Sequence, residues 1–189
     1  GLFGIEIQNR NLDYDFLLNN IESKNDVSIT NLSSFLTFQS ALFNKALFSL
    51  GFRFNWNSHE EDILIAPRIN IDFSLDRGWG NIIYNSGTYF QNPPEKYLSI
   101  VDNNDLKTIN TFQHSLTFEK LITNSAKFSI SIYKKNYHHA PMMNNNQAFT
   151  DPTFLLDELR TYSNIISSGK AETSGVEILL EKKRAINFY

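Results

Sequence analysis

From Ile63 to Leu75 the chain alternates. Ile63, Ile65, Pro67, Ile69, Ile71, Phe73 and Leu75 take the odd positions, Ala66, Arg68, Asn70, Asp72 and Ser74 lie between them, and only Leu64 is out of step. A period of two puts these sets on opposite faces of an extended strand, where a helix would need 3.6. The preceding segment does the same, with Phe48, Leu50, Phe52, Phe54 and Trp56 against Ser49, Gly51, Arg53 and Asn55, and Leu47 as the exception. Consecutive strands with one greasy and one polar face must cover the greasy side. A second protein layer covers it in a sandwich, and lipid covers it in a membrane barrel.

Fainter copies follow. Ile82, Tyr84 and Phe90 alternate with Asn81, Asn85 and Gln91; Phe112, Leu116 and Phe118 with Gln113, Ser115, Thr117 and Glu119; Phe128, Ile130 and Ile132 with Lys127, Ser129 and Ser131. Val176, Ile178 and Leu180 alternate with Gly175, Glu177 and Glu181, while Phe3, Ile5 and Ile7 mark one more strand and Ile29 to Ala41 another. The pattern gives about eight strands of about 9 to 13 residues, longer than the usual ~5 to 6. At ~3.3 Å per residue and a tilt near 45°, such strands cross an apolar band of ~25 Å. Short joints at Phe43-Asn44-Lys45, Asp76-Arg77-Gly78, Ile122 to Ser125 and Lys183-Arg184 take turns with longer connections at Asn9 to Ser28, Asn57 to Asp62, Gln91 to Ile109 and Tyr137 to Ser168. That is the arrangement of an up-and-down barrel with its long loops on one side. The expected fold is therefore all-β, an antiparallel up-and-down meander of about eight long strands of the kind that builds a transmembrane β-barrel, with a β-sandwich as the alternative.

Composition narrows the function. The 189 residues carry 17 basic and 20 acidic side chains, too even a balance for a nucleic-acid surface, and Lys182-Lys183-Arg184 is a short basic run suited to a solvated turn. There is no cysteine, which excludes disulfides and thiolate metal sites. No run of ~18 apolar residues occurs, and Gly1 to Glu6 has neither the basic segment nor the apolar core of a signal peptide. Aromatics make up 14% of the chain, and Trp56, Trp79, Tyr89 and Phe90 sit near strand ends, where a membrane barrel carries aromatic girdles. Strand propensity enriches the same residues.

Several short words also match a family. Leu50-Gly51-Phe52-Arg53-Phe54, Ala66-Pro67-Arg68-Ile69-Asn70-Ile71 and Tyr84 through Pro93 occur in the order and spacing of the barrel strands of TonB-dependent outer-membrane receptors, as do Ile132 through Pro141 and Ser168 through Ile178. The sequence resembles that family over about Leu47 to Leu180. The resemblance implies a barrel of about 22 strands around an N-terminal plug. Neither plug nor TonB-contacting segment is recognisable here, so the resemblance implies that the chain, residues 1–189, is part of the barrel domain, a segment of a transmembrane β-barrel. The partners implied are a scarce nutrient (siderophore, cobalamin, glycan or peptide), TonB acting through a plug absent from this chain, and lipid of the bacterial outer membrane. Ala185 to Tyr189 reads as the start of a further strand, although a terminal aromatic also resembles an outer-membrane assembly signal. Two rivals stand beside this reading: a complete eight-stranded small barrel with a structural or adhesive role, and a soluble β-sandwich binding module.

No catalytic residue, cofactor or metal site is expected. His138-His139 with Met142-Met143 has soft-metal ligand types but no spaced carboxylate, and His59-Glu60-Glu61-Asp62 is equally an ordinary acidic loop tip. His114 and Ser115 are adjacent on a strand, so they point to opposite faces and cannot act as base and nucleophile together. Asn144 to Gln147 is a polar tract. Ligand contact is assigned to strand ends and long loops, at Tyr89, Gln91, Tyr137, His138 and His139.

Overall fold

The computed structural model describes residues 1–18, 21–42, 45–98, 105–143 and 165–182. Eight strands form one sheet in chain order: β1 (Leu2–Leu18), β2 (Ile21–Leu42), β3 (Ala46–Asn57), β4 (Ile63–Ser74), β5 (Asn81–Gln91), β6 (Ile109–Thr123), β7 (Ala126–Met143) and β8 (Ile165–Lys182). Every neighbouring pair is antiparallel. β1 and β8 do not pair with each other among the described residues, so the sheet is open.

The register settles the faces. Phe52 lies between Leu36 and Pro67, Leu50 between Phe38 and Ile69, and Ile71 opposite both Phe48 and Tyr84. The apolar face continues through Ile82, Phe118, Ile130 and Ile178. Among the described residues no second layer covers it: Ile5 and Ile178 are 63% and 69% exposed, and Ile65, Ile69, Leu116 and Ile132 are exposed as well. A sandwich would bury these positions.

The opposite face is concave. Ile29 is in register with Asn31 and Ser33 on the polar side of β2, yet it packs in one cluster with Tyr97, Leu98, Leu106 and Ile165. Ile165 opens β8, six strands away from β2. A flat sheet would hold those strands ~29 Å apart, at ~4.8 Å per step. Only a sheet curled toward its polar side brings both to one small cluster.

Strand lengths differ from the sequence expectation in one direction. The strands run from 11 to 22 residues, and the segment expected as a polar loop from Asn9 to Ser28 is mostly paired, with Arg10 opposite Ile29 and Leu18 opposite Ile21. Hairpin hydrogen bonding carries β1 and β2 past the point where one face stays apolar, and a reading based on hydrophobic alternation stops there. β7 and β8 likewise extend to Met143 and begin at Ile165, inside the expected loop from Tyr137 to Ser168. The connection at 58–62 agrees with expectation, as do the described parts, 92–98 and 105–108, of the one before β6. Lys183-Arg184, Asn144 to Gln147 and Ala185 to Tyr189 lie outside the described residues.

The short connections are tight turns. Lys45 donates from its backbone N to Leu42 O and pairs through Nζ with Asp76 at 2.7 Å, joining two neighbouring turns. The turn after β4 uses Arg77 at φ 58°, Gly78 at φ 70° and Gly80 at φ 120°. A Cβ on Gly80 would strike Glu119 O, so glycine is required there by space as well as by conformation. Trp79 lies within this turn, 62% exposed, with Lys120 Nζ 4.8 Å from its ring centroid.

Candidate ligand mouth and polar wall

At the long-loop end of the concave face, the segment after β5 folds back over the sheet. Asn92 donates from Nδ2 to Asn31 Oδ1 at 2.7 Å, fixing the start of the segment to β2. One helical turn, Glu95–Leu98, then delivers Tyr97 and Leu98 to the cluster with Ile29. The returning strand is held by the β3–β4 connection: Thr108 N donates to Glu60 Oε2 at 3.0 Å, His59 Nε2 lies 2.9 Å from Leu106 O, and Asn57 Nδ2 donates to Thr108 Oγ1. Lys107 N donates to Ser167 Oγ on β8. The acidic tip at His59 to Asp62 thus serves as a strut for this strap. Asn57 supports the tip in turn, accepting from the backbone N of His59 and of Glu60. Burial of Tyr97 raises its phenol pKa above the usual value of 10.0 through desolvation.

Beneath the start of the strap, Asn92 to Pro94, lies a cavity of about 450 Å³. Amides dominate its wall: Gln8, Asn31, Asn55, Asn57, Gln91 and Asn92, joined by Ser33, Arg10 and Arg53. Arg53 is clamped there, with Nη2 3.0 Å from Glu6 Oε2 and 3.1 Å from Ser33 Oγ, and Nε donating to Asn55 Oδ1 at 2.8 Å. A fixed fork among amides that both donate and accept presents a rigid polar surface to a small ligand.

Deeper on the same face sits Arg68. It faces Gly51 on one side and Gly87 on the other, and its guanidinium lies 4.4 Å from the centroid of Tyr89. A Cβ on Gly87 would come within 2.9 Å of Arg68 Cγ, so the missing side chain is what lets the arginine lie across β5 toward the ring. Its Nε has no hydrogen-bond partner among the described residues; the aromatic face holds the cation. Tyr133 uses Gly175 in the same way on β8, its hydroxyl oxygen 2.6 Å from where a Cβ would stand.

The five residues expected to contact ligand separate into three places. Gln91 lines the mouth cavity, and Tyr89 stacks under Arg68. Tyr137 shares the concave face with Thr111 and Ala171, whereas His138, opposite Asn110 and Lys170, points outward and is exposed. His139 sits at a register shift with φ 60° and is also exposed. The structure does not bring the β7 trio to Gln91. Arg53, Asn31 and Asn55 were missed by the sequence reading. Their signal was present, because they occupy polar positions of strands whose alternation was recognised, but only the strap identifies which polar rung lies at the mouth.

His114 does meet a serine, although not Ser115. Its Nδ1 lies 3.1 Å from Ser86 Oγ and 3.0 Å from Tyr84 Oη on the outward face. No carboxylate backs the ring among the hydrogen bonds of the described residues, and the imidazole is shared between two hydroxyls. No group of three or more metal-ligating side chains occurs among the described residues. No helix among them is long and apolar enough to cross a membrane, which says nothing of strands.

No curated protein sequence matches the chain. A family model does: the one described as TonB dependent receptor-like, beta-barrel matches residues 2–187, nearly the whole length. Open single-layer sheet, apolar convex face and polar concave face agree with that match, and the chain belongs to the β-barrel family of TonB-dependent receptors, which are outer-membrane transport receptors.

Proposed function

We propose that these eight strands are a segment of the barrel wall of an outer-membrane receptor that binds a scarce nutrient at its external mouth and imports it. The observation that carries this reading is the amide-lined cavity under the strap, at the long-loop end of a sheet whose convex side has no protein cover among the described residues. Residues 1–189 then belong to one barrel domain, completed by strands that pair with β1 and β8. The nutrient is a siderophore, cobalamin, glycan or peptide, and TonB drives release through a plug seated against the concave face. Arg68, Asn70, Asp72, Glu119, Lys127, Glu177 and Glu181 face that lumen. The mouth contacts are Gln91 and its neighbours Asn31, Asn92 and Arg53, with Tyr89 deeper and Tyr137, His138 and His139 on the β7 rim.

Ligand binding to the intact receptor, with each of Tyr89, Gln91, Tyr137, His138 and His139 replaced by alanine, tests the assignment. Gln91→Ala is expected to weaken binding about five-fold, the worth of one hydrogen bond of ~1 kcal/mol. Unchanged affinity in all five variants would end it.

A further inference from the structure

The outward face of β6–β8 changes character along its length. Its lower rows are apolar: Phe118, Ile130 and Ile178, then Leu116, Ile132 and Val176. The next row is Ser86, His114, Lys134 and Ser174; above it come Phe112, Asn136 and Glu172, then Asn110, His138 and Lys170. On β3 the apolar face persists to Trp56, six positions (56 − 50) above Leu50, which shares the row of Ile69, Ser86, His114 and Lys134. Strands tilted ~45° and ~4.8 Å apart displace a level boundary by ~1.5 residues per strand, or ~6 across the four steps from β3 to β7. The short-turn end shifts the same way: the row of Ala46 meets β7 at Ile130, four positions (130 − 126) above its first residue, Ala126. The row of His114 and Lys134 is therefore where the convex face of these strands leaves the hydrocarbon.

Two grooves straddle that row. The lower, about 220 Å³, has Leu116 and Ile132 as an apolar floor and Tyr84, His114 and Lys134 on its rim. The upper, about 410 Å³, is lined by Phe112, Asn136, His138, Lys170 and Glu172. Lys134 and Lys170 against Glu172 leave a net charge of +1 (2 − 1) with histidine neutral. Lys134 Nζ pairs with Glu172 Oε1 at 2.9 Å, both half exposed. With Nδ1 of His114 engaged by Tyr84 and Ser86, its Nε2 has no hydrogen bond among the described residues.

We infer that these stacked grooves hold an outer-leaflet lipid with a phosphorylated headgroup, one acyl chain on Leu116 and Ile132 beside His114, and the phosphate between Lys134 and Lys170, which flank Glu172. The apolar floor is continuous with the lipid-covered band, which a soluble anion would not require. The excess of cations favours phosphate and disfavours a headgroup that offers an amine. Charge-assisted bonds from ammonium to phosphate oxygen supply the selectivity. The inference rests on the membrane placement proposed above.

Its test uses the intact receptor in phosphatidylethanolamine nanodiscs containing a phosphorylated glucosamine lipid (lipid A) or the same lipid without phosphate, with retained lipid read by native mass spectrometry. Wild type is expected to retain the phosphorylated form at least five-fold better; Lys134→Gln/Lys170→Gln brings the two forms near parity, and Lys127→Gln, on the concave face, leaves the preference intact. Equal retention of both lipids by wild type, or an undiminished preference in the inserted double variant, would overturn the inference and leave the receptor reading standing. If the double variant fails to insert, the wild-type comparison decides alone. A wild-type receptor that does not insert into the discs would contradict the membrane reading and this inference with it.

Discussion

Gly87 shows what a single residue does in a single-layer sheet. In a barrel wall each side chain has neighbours only across strands and along its own face, so an arginine that must lie flat needs an empty place beside it. Gly87 supplies that place for Arg68, and Tyr89, two residues on, receives the guanidinium. The word Tyr84 through Pro93 was visible in the sequence, but the reason for its glycine was not, because the partner lies on β4 and depends on register. Gly87→Val should cost about 1 to 3 kcal/mol, the usual penalty of overpacking, seen as a lower unfolding temperature of the intact receptor in a heat-modifiable gel shift; an unchanged temperature would show that Arg68 has room to move. Tyr97 gives a second residue-scale expectation. Desolvation favours its neutral form, so its folded pKa is raised and the stability it lends the strap is complete below pH 10 and is lost as pH rises through the elevated value. In a titration followed at 295 nm, Tyr97→Phe should remove a tyrosine that ionises later than the others.

The elements divide into those that the sequence announces and those that tertiary pairing creates. β3 and β4 were legible almost to the residue, because both are half-apolar over their whole length. The far ends of β1, β2, β7 and β8 were not, since hydrogen bonds rather than a greasy face prolong them. The strap was legible only as a connection of the right length; its anchors, Asn57 at the end of β3 and His59 and Glu60 in the connection after it, leave no local pattern. Glu60→Ala removes the acceptor of Thr108 N and should speed amide exchange in residues 105–110 by about ten-fold or more, for a bond to a charged group worth ~1.5 to 3 kcal/mol. The rate at Thr117, far down β6, should not change. The two faces of β4 make a sharper contrast. Ile69→Arg places a charge in mid-band and should cost about 2 to 4 kcal/mol, whereas Asn70→Arg faces the lumen and should cost well under half as much. Equal costs, measured by denaturant unfolding in micelles, would mean that the faces are misassigned.

For the whole molecule the open sheet is the governing fact. The fold class, strand number and up-and-down order followed from alternation and loop lengths, and the polar wall followed from the same alternation. Curvature did not, because it depends on a cluster that gathers Ile29 and Ile165 with Tyr97, Leu98 and Leu106, which no local pattern encodes. Unpaired β1 and β8 edges are costly in hydrocarbon, where every backbone N–H and C=O must find a partner, so these strands acquire their full stability within a closed wall. The absence of cysteine from the chain makes it suited to single-cysteine scanning. A fluorophore attached in turn to positions 65 through 72 of the intact receptor in lipid vesicles, quenched either by brominated acyl chains or by aqueous iodide, measures directly what covers each face. Quenching that alternates, with brominated lipid acting at Ile65, Pro67, Ile69 and Ile71 and iodide at Ala66, Arg68, Asn70 and Asp72, is the expected result; iodide reaching the isoleucines, or lipid quenching with no period of two, would contradict it.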